Sequence, residues 1–257
     1  MNIDEKRILA RFRDYVDTFS GTGEGVRLKY LHSLKVSGLC RQIAEGLSLS
    51  AGEAELAWVI GLLHDIGRFE QLRRYHTFID RQSMDHARYG VHYLFDEGHI
   101  RDFVPSPDED DVIRAAIGEH NVYRVRPDLT ERQDLFTRIV RDADKIDIFR
   151  VYVLYRDTHL DVWHTDWSDL PYQAITDTVM AQARARQSVR TEDKRTFIDF
   201  YVGVLCLYFD LSFAKSRELA WQQGNYEKLL AFHSQNPDTE RKLEEIRQMV
   251  LPDRKRV

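Results

Sequence analysis

Apolar residues recur every three to four positions along nearly the whole chain, the spacing of amphipathic helices rather than the alternation of strands. Residues 4–19 place Ile8, Phe12, Tyr15, Val16 and Phe19 on one face, and GTGEG at 21–25 ends that stretch. Leu28, Leu31, Val36, Leu39, Ile43 and Leu47 mark a second helix over 27–46. Ser50 and Glu53 stand at capping-box spacing, so a third helix starts there and runs through AELAWVIGLLHD to Gly67 or just short of it. Further helices are expected over 83–97, within VIRAAIGEH after the acidic loop 105–111, and as one long element from 134 to 156, behind the connector 126–133. Beyond the break WHTDWSDLP (163–171), helical stretches fall near 172–187, 193–220, 225–232 and 237–250. The expected fold class is all-α: a helical domain over 1–156 with a C-terminal helical extension, 157–257, packed on it as one globular unit.

Composition narrows the function classes. Of 257 residues, 43% are hydrophobic and 31% charged, which fits neither a disordered nor a membrane protein. The net charge of −5 disfavours long nucleic acid as a partner, because a polyanion would be repelled. Cys40 and Cys206 both lie in apolar helical patterns and read as buried thiols of a reducing compartment. The longest apolar run, Phe200 to Phe209, is bounded by Asp199 and Asp210 and is too short to span a bilayer. The N-terminus carries no apolar signal core. The expected localisation is cytoplasmic, with no membrane partner. The segment Phe197–Phe213 is core or a dimer face; core is preferred, and a homodimer stays open.

The candidate chemistry lies in four helical segments. His64-Asp65 closes the apolar run WVIGLL ahead of a glycine turn, His32 lies within one apolar helix, His120 ends another, and Asp144 lies inside a third. Metal sites in helical bundles are built this way, from ligands on facing helices. The flanking text is HSLKVSGLCRQIA, LLHDIGRF and DADKIDIF. This ordered set, over about residues 27–150, resembles the HD-domain metal-dependent phosphohydrolase superfamily. The resemblance implies an all-helical metal-binding domain that cleaves a small phosphoester, a nucleotide or related metabolite, through attack of a metal-bound hydroxide on phosphorus.

DHARYGVHYL and GEHN add His86 and His120, which resemble the extra ligands of the two-metal branch of that superfamily. The implied metal ligands are then His32, His64, Asp65, His86, His120 and Asp144, with Asp65 bridging two ions. The alternative is one ion, with His86 and His120 on substrate phosphate. The branch that cleaves cyclic dinucleotides has a second His where this chain has Asn121, and a Gly-Tyr-Pro signature absent here, so that substrate is not expected. Imidazole and carboxylate donors without thiolate suit Mn, Fe, Co, Ni or Zn, and the expected cofactor is two such divalent ions.

Charge developing on phosphoryl oxygens needs cationic donors. Arg68, directly after HDIG, stands where many relatives carry a Lys, and with Asp65 and Lys145 makes the expected catalytic set. Arg68, Arg73, Arg74, Tyr75 and His76 are the expected substrate contacts, with Asp80 a further residue of interest; all but Arg68 fall in a segment, 70–86, read as a loop over the metal site. A solvated face or a structural ion pair is the competing account of Arg73, Arg74 and Lys145. Two other functions share the ligand set: a diiron oxygenase of the same superfamily, and a non-catalytic metal- or nucleotide-binding regulator. The glycines of GTGEG lack the spacing of either phosphate-binding fingerprint and read as a turn.

Overall fold

The first helix, α1 (Glu5–Asp17), begins at Asp4, whose carboxylate accepts the backbone N–H of Arg7 at 3.0 Å. In this computed structural model, residues 4–19, 23–158 and 167–254 are described; His159 and His164, residues 21 and 22 of the GTGEG turn and residues 163–166 of the second break lie outside them. The regular structure of the described residues is helical, without a strand, in agreement with the all-α expectation. The chain forms two compact units, Met1–Asp144 and Lys145–Val257.

In the first unit, α1 buries Ile8, Phe12 and Val16 at helical spacing. It is followed by α2 (Glu24–Gly46) and α3 (Ala51–Leu63), which pack extensively on each other. The capping box at Ser50 and Glu53 forms as the spacing predicts. From Leu56 to Leu63 every residue of α3 is buried, so this helix is surrounded on all sides. Gly61 makes the packing with α2 possible: a Cβ there would lie 2.7 Å from Cys40 Sγ and 2.8 Å from Ser37 Cα.

Three corrections to the sequence reading concern this unit. Gly67 lies beyond the end of α3 and itself opens a helix: α4 (Gly67–Tyr75) takes residues 70–75 of the segment expected to be a loop. Phe69 and Leu72 bury one face of α4, and Glu70 pairs with Arg73 and Arg74 three and four residues on, a local helical stabilisation. Gly67 is required for close approach, since its Cβ would fall 2.2 Å from the carbonyl oxygen of His86. The helix expected over 83–97 is split into α5 (His86–Val91), capped by Asp85, and a π-helical turn, His92–Asp96. After α6 (Ile100–Phe103) and α7 (Asp110–Gly118), the long helix α8 (Glu131–Thr158) starts one turn earlier than expected. Thr130 and Gln133 exchange hydrogen bonds there, a second capping box within the presumed connector.

The second unit holds α9 (Asp177–Arg184), α10 (Phe197–Cys206), α11 (Ala214–Gln222), α12 (Asn225–Leu230) and α13 (Pro237–Arg254). Before α9, Trp167–Tyr172 forms a 3₁₀ helix, so the helix expected over 172–187 is shorter. The single helix expected over 193–220 is broken: a 3₁₀ turn, Leu207–Asp210, leads to an extended Leu211 whose side chain is buried. Most of Phe197–Tyr208 is core, with the buried aromatics satisfied at their polar ends: Tyr201 donates to the Leu229 carbonyl at 2.7 Å, and Tyr226 to that of Leu205 at 3.0 Å. No helix among the described residues is long and apolar enough to cross a membrane.

Candidate metal centre

Helices α2, α5 and α8 and the turns after α3 and α7 bring the histidines and aspartates together. His32 lies on α2, one helical turn after Lys29. His64 and Asp65 lie in the turn between α3 and α4, where His64 and Ile66 keep helical dihedrals. His86 is the first residue of α5, and His120 follows α7. Asp144 lies on α8, in the last position of the unit. His32, His64, Asp65, His86 and His120 are all buried. The close contact of Gly67 with His86 holds the α3–α4 turn against the start of α5, bringing Asp65 and His86 within reach.

Hydrogen bonds at Nδ1 set which ring nitrogen faces the cluster. His64 Nδ1 lies 2.7 Å from the Gly61 carbonyl oxygen, and His120 Nδ1 2.7 Å from that of Ile117. A carbonyl only accepts, so each Nδ1 carries a proton, and Nε2 is the nitrogen left to ligate. His86 Nδ1 similarly faces Asp80 Oδ2 at 2.8 Å. His64 Nε2 is buried and has no hydrogen-bond partner. His86 Nε2 and His120 Nε2 stand 3.0 Å apart. With both Nδ1 atoms protonated, neutral rings would turn two lone pairs on each other, an arrangement that a shared cation would relieve.

Asp65 divides the cluster. Its Oδ2 is 3.5 Å from Nε2 of His32 and 3.5 Å from Nε2 of His64. Its Oδ1 is 3.2 Å from Nε2 of His86 and 3.6 Å from Nε2 of His120. Asp144 Oδ1 completes the first group, 3.1 Å from His32 Nε2 and 3.8 Å from His64 Nε2. Donors bound to one ion at about 2.0–2.2 Å stand roughly 3.0–3.5 Å apart. The residues therefore fit a divalent ion held by His32, His64, Asp65 and Asp144, and offer a second position at Asp65, His86 and His120. His32, His64 and Asp144 form one group with ligating atoms within 4.8 Å of one another, and His64, Asp65 and His120 form another.

The electrostatics keep these groups in ligating form. Burial opposes ionisation of Asp65, but the Lys29 ammonium and the surrounding imidazoles of His64, His120 and His86 outweigh it and hold its carboxyl well below the usual range. Burial also opposes ionisation of Asp144, and His32 and His64 hold it well below as well. For His86, burial and the nearby Arg68 favour the neutral ring despite Asp65 and Asp80.

The residues expected to contact substrate are placed differently from one another. Arg68 lies at the centre: Nη1 donates to Gln71 Oε1, the Phe78 carbonyl and Asp80 Oδ1, each at 2.7 Å, while Nε is buried without a hydrogen-bond partner 3.5 Å from Asp65 Oδ1. Arg73 and Arg74 are half exposed and both pair with buried Glu70, their guanidinium groups lying over the rings of Phe19 and Tyr89. Tyr75 is exposed. His76 ends α4 in the left-handed conformation, φ 53° and ψ 27°, donating its backbone N–H to the Leu72 carbonyl. Lys145 is buried at the start of the second unit.

Three residues absent from the expected set touch the cluster or its supports. Lys29 Nζ lies 2.6 Å from Asp65 Oδ2; its position three residues before His32 was the available signal. Gln71 is fully buried and donates to Asp80, Ser83 and Met84. Arg141 Nη1 donates to the carbonyls of Glu119, His120 and Val122 at 2.7–3.0 Å, fixing the turn that carries His120.

Residues 30–148 match the family model of the HD domain, a span that contains all six candidate ligands. Neither a curated protein nor a solved structure matches the chain.

Proposed function

We propose, from the HD domain that the chain carries over residues 30–148, that this protein is a metal-dependent phosphohydrolase working on a small phosphoester with two divalent ions. The observation that carries the reading is Asp65, which turns one oxygen toward His32 and His64 and the other toward His86 and His120. Bound divalent ions supply Lewis acidity, a nucleophile from water at neutral pH, and a clamp on phosphoryl oxygens. The reaction is a displacement in which a water oxygen bonds to phosphorus, the ester P–O bond breaks, and the proton lost by water balances the leaving alkoxide.

The chain's own residues have distinct parts in it. Asp65 and Asp144, kept ionised, hold charge on the ligand side, and the histidines present Nε2. Arg68 is held rigidly through Nη1, with its unpartnered Nε as a donor for a phosphoryl oxygen. Around the cluster, the carboxylates of Asp65, Asp80 and Asp144 against Lys29 and Arg68 give a formal −1, which two divalent ions raise to +3. An excess of positive charge suits a dianionic phosphate ester. The overall charge of −5 favours a small substrate over a long nucleic acid.

The test is elemental analysis of the purified protein, followed by a screen of nucleoside monophosphates and sugar phosphates in ¹⁸O-water. Two ions per chain and release of inorganic phosphate carrying one ¹⁸O are expected. Iron-loaded protein that consumes dioxygen and releases no phosphate would replace this reading with the oxygenase.

A further inference from the structure

We infer that Lys29 is a tethered cation that occupies the shared carboxylate of the metal centre before metal arrives, and that it weakens metal uptake. This rests on the metal-centre reading above. Lys29 Nζ lies 2.6 Å from Asp65 Oδ2, the oxygen that also faces Nε2 of His32 and of His64 at 3.5 Å. Lysine and histidine are one turn apart on α2 and so share a face. Without metal, this ammonium is the cation closest to a carboxylate whose side chain is only 3% exposed, and an unpaired carboxylate there would be strongly disfavoured.

A divalent ion taking Oδ2 would meet the ammonium at the same oxygen. The two cations repel, so binding must either move the ammonium away or retain it at a loss of affinity. Lys29 is able to move. Its side chain is 17% exposed, its hydrogen-bond partner among the described residues is Asp65, and its ammonium stands 5.6 Å from the centre of the Phe78 ring. Arg68, on the other oxygen, is different: three acceptors fix its Nη1, and its Nε stands 3.5 Å from Oδ1. The two basic residues thus divide the work, one fixed and one displaceable.

The experiment is calorimetric titration of Mn²⁺ into the metal-stripped full-length protein, with thermal unfolding of the stripped and Mn²⁺-saturated forms. Lys29→Met, which keeps the stem over Phe78 and removes the charge, is expected to bind Mn²⁺ at least about tenfold more tightly. Its metal-free form should melt at lower temperature than wild type, because Asp65 then lacks a cation, and the shift gained on Mn²⁺ saturation should be larger. Lys29→Arg, which retains the charge, should keep the weaker affinity. If Lys29→Met does not fold without metal, Lys29→Gln gives the same comparison with a neutral donor for Asp65. Wild type that binds two Mn²⁺ while the neutral variants bind no more tightly would overturn the role of Lys29 and leave the metal centre standing. Wild type that binds no Mn²⁺ would overturn both.

Discussion

Asp80 and His86 form a carboxylate–imidazole pair, Oδ2 to Nδ1 at 2.8 Å, and the second oxygen of Asp80 takes Arg68 Nη1 at 2.7 Å. One side chain thus orients both a candidate ligand and the cation beside it. Such supporting carboxylates fix the ring and raise its basicity, and their loss typically lowers metal affinity 10- to 100-fold. Asp80→Asn is expected to weaken the second ion by roughly that factor and to leave the first, held by His32, His64 and Asp144, nearly unchanged. Stepwise metal titration checks this; equal weakening of both ions would count against it.

Substituting Asp65 removes a ligand from both positions. Asp65→Asn should abolish binding of two ions and lower phosphoester turnover by about three orders of magnitude or more. Metal analysis of the purified variant separates this from misfolding, provided its helical circular dichroism matches wild type. Retained turnover would remove Asp65 from the centre of the site.

Gly67→Ala is a packing test. The added Cβ would lie 2.2 Å from the carbonyl oxygen of His86 and 2.9 Å from Gly90 N, and both are backbone atoms that cannot turn aside. The α4–α5 contact must open, with an expected loss of about 2–4 kcal/mol in urea unfolding. Since the same contact positions His86, the affinity for the second ion should fall as well.

Arg141 supports His120 through three carbonyls rather than through the ring. Arg141→Lys keeps the charge but loses the guanidinium geometry. A loss of about 1–3 kcal/mol is expected, together with weaker binding of the second ion. Near-equal weakening of both ions would indicate a general rather than a local effect.

The acid limb of stability should follow the carboxylates. Asp80 is opposed by burial but drawn down to about 2 by His86, Arg68 and Gln71. Asp65 and Asp144 are also held low. A depressed folded-state pKa means that the unfolded chain binds protons first as pH falls. The stabilisation is fully present above the unfolded value near 4 and is lost toward pH 2. Melting temperature of the metal-free protein should be flat with respect to these groups above about pH 5 and drop steeply below about pH 4. A drop centred near pH 6 would implicate histidines instead.

The sequence exposed the site more readily than its surroundings. His32, His64, Asp65 and Asp144 stand out because polar groups inside apolar helices need a reason, and the flanking text is specific. The capping box at Ser50 was legible because both of its members obey a fixed spacing. The helical nature of 67–75 was not, because Gly67 reads locally as a terminator, while the contact that selects glycine comes from His86, nineteen residues away. Arg73 and Arg74 read as substrate contacts because they are cations in a segment taken for a loop over the site, yet their partner is Glu70 on the same helix, the structural ion pair that was the competing account. Lys29 was missed because a lysine on a helix is ordinarily solvated, and its partner lies thirty-six residues on.

Cys40 gives the seam between α2 and α3 a chemical reporter. Its thiol is completely buried beside Gly61, and burial, with Asp144 and Asp142, pushes its pKa well above the ordinary value. The reactive thiolate is therefore scarce and out of reach while the two helices stay together. Alkylation of Cys40 proceeds from molecules in which the seam has parted, so its rate counts openings of the wall that supports His32 on one side and His64 on the other. A ligand that draws those two histidines together slows that clock, and the native cysteine records the tightening without a label being introduced.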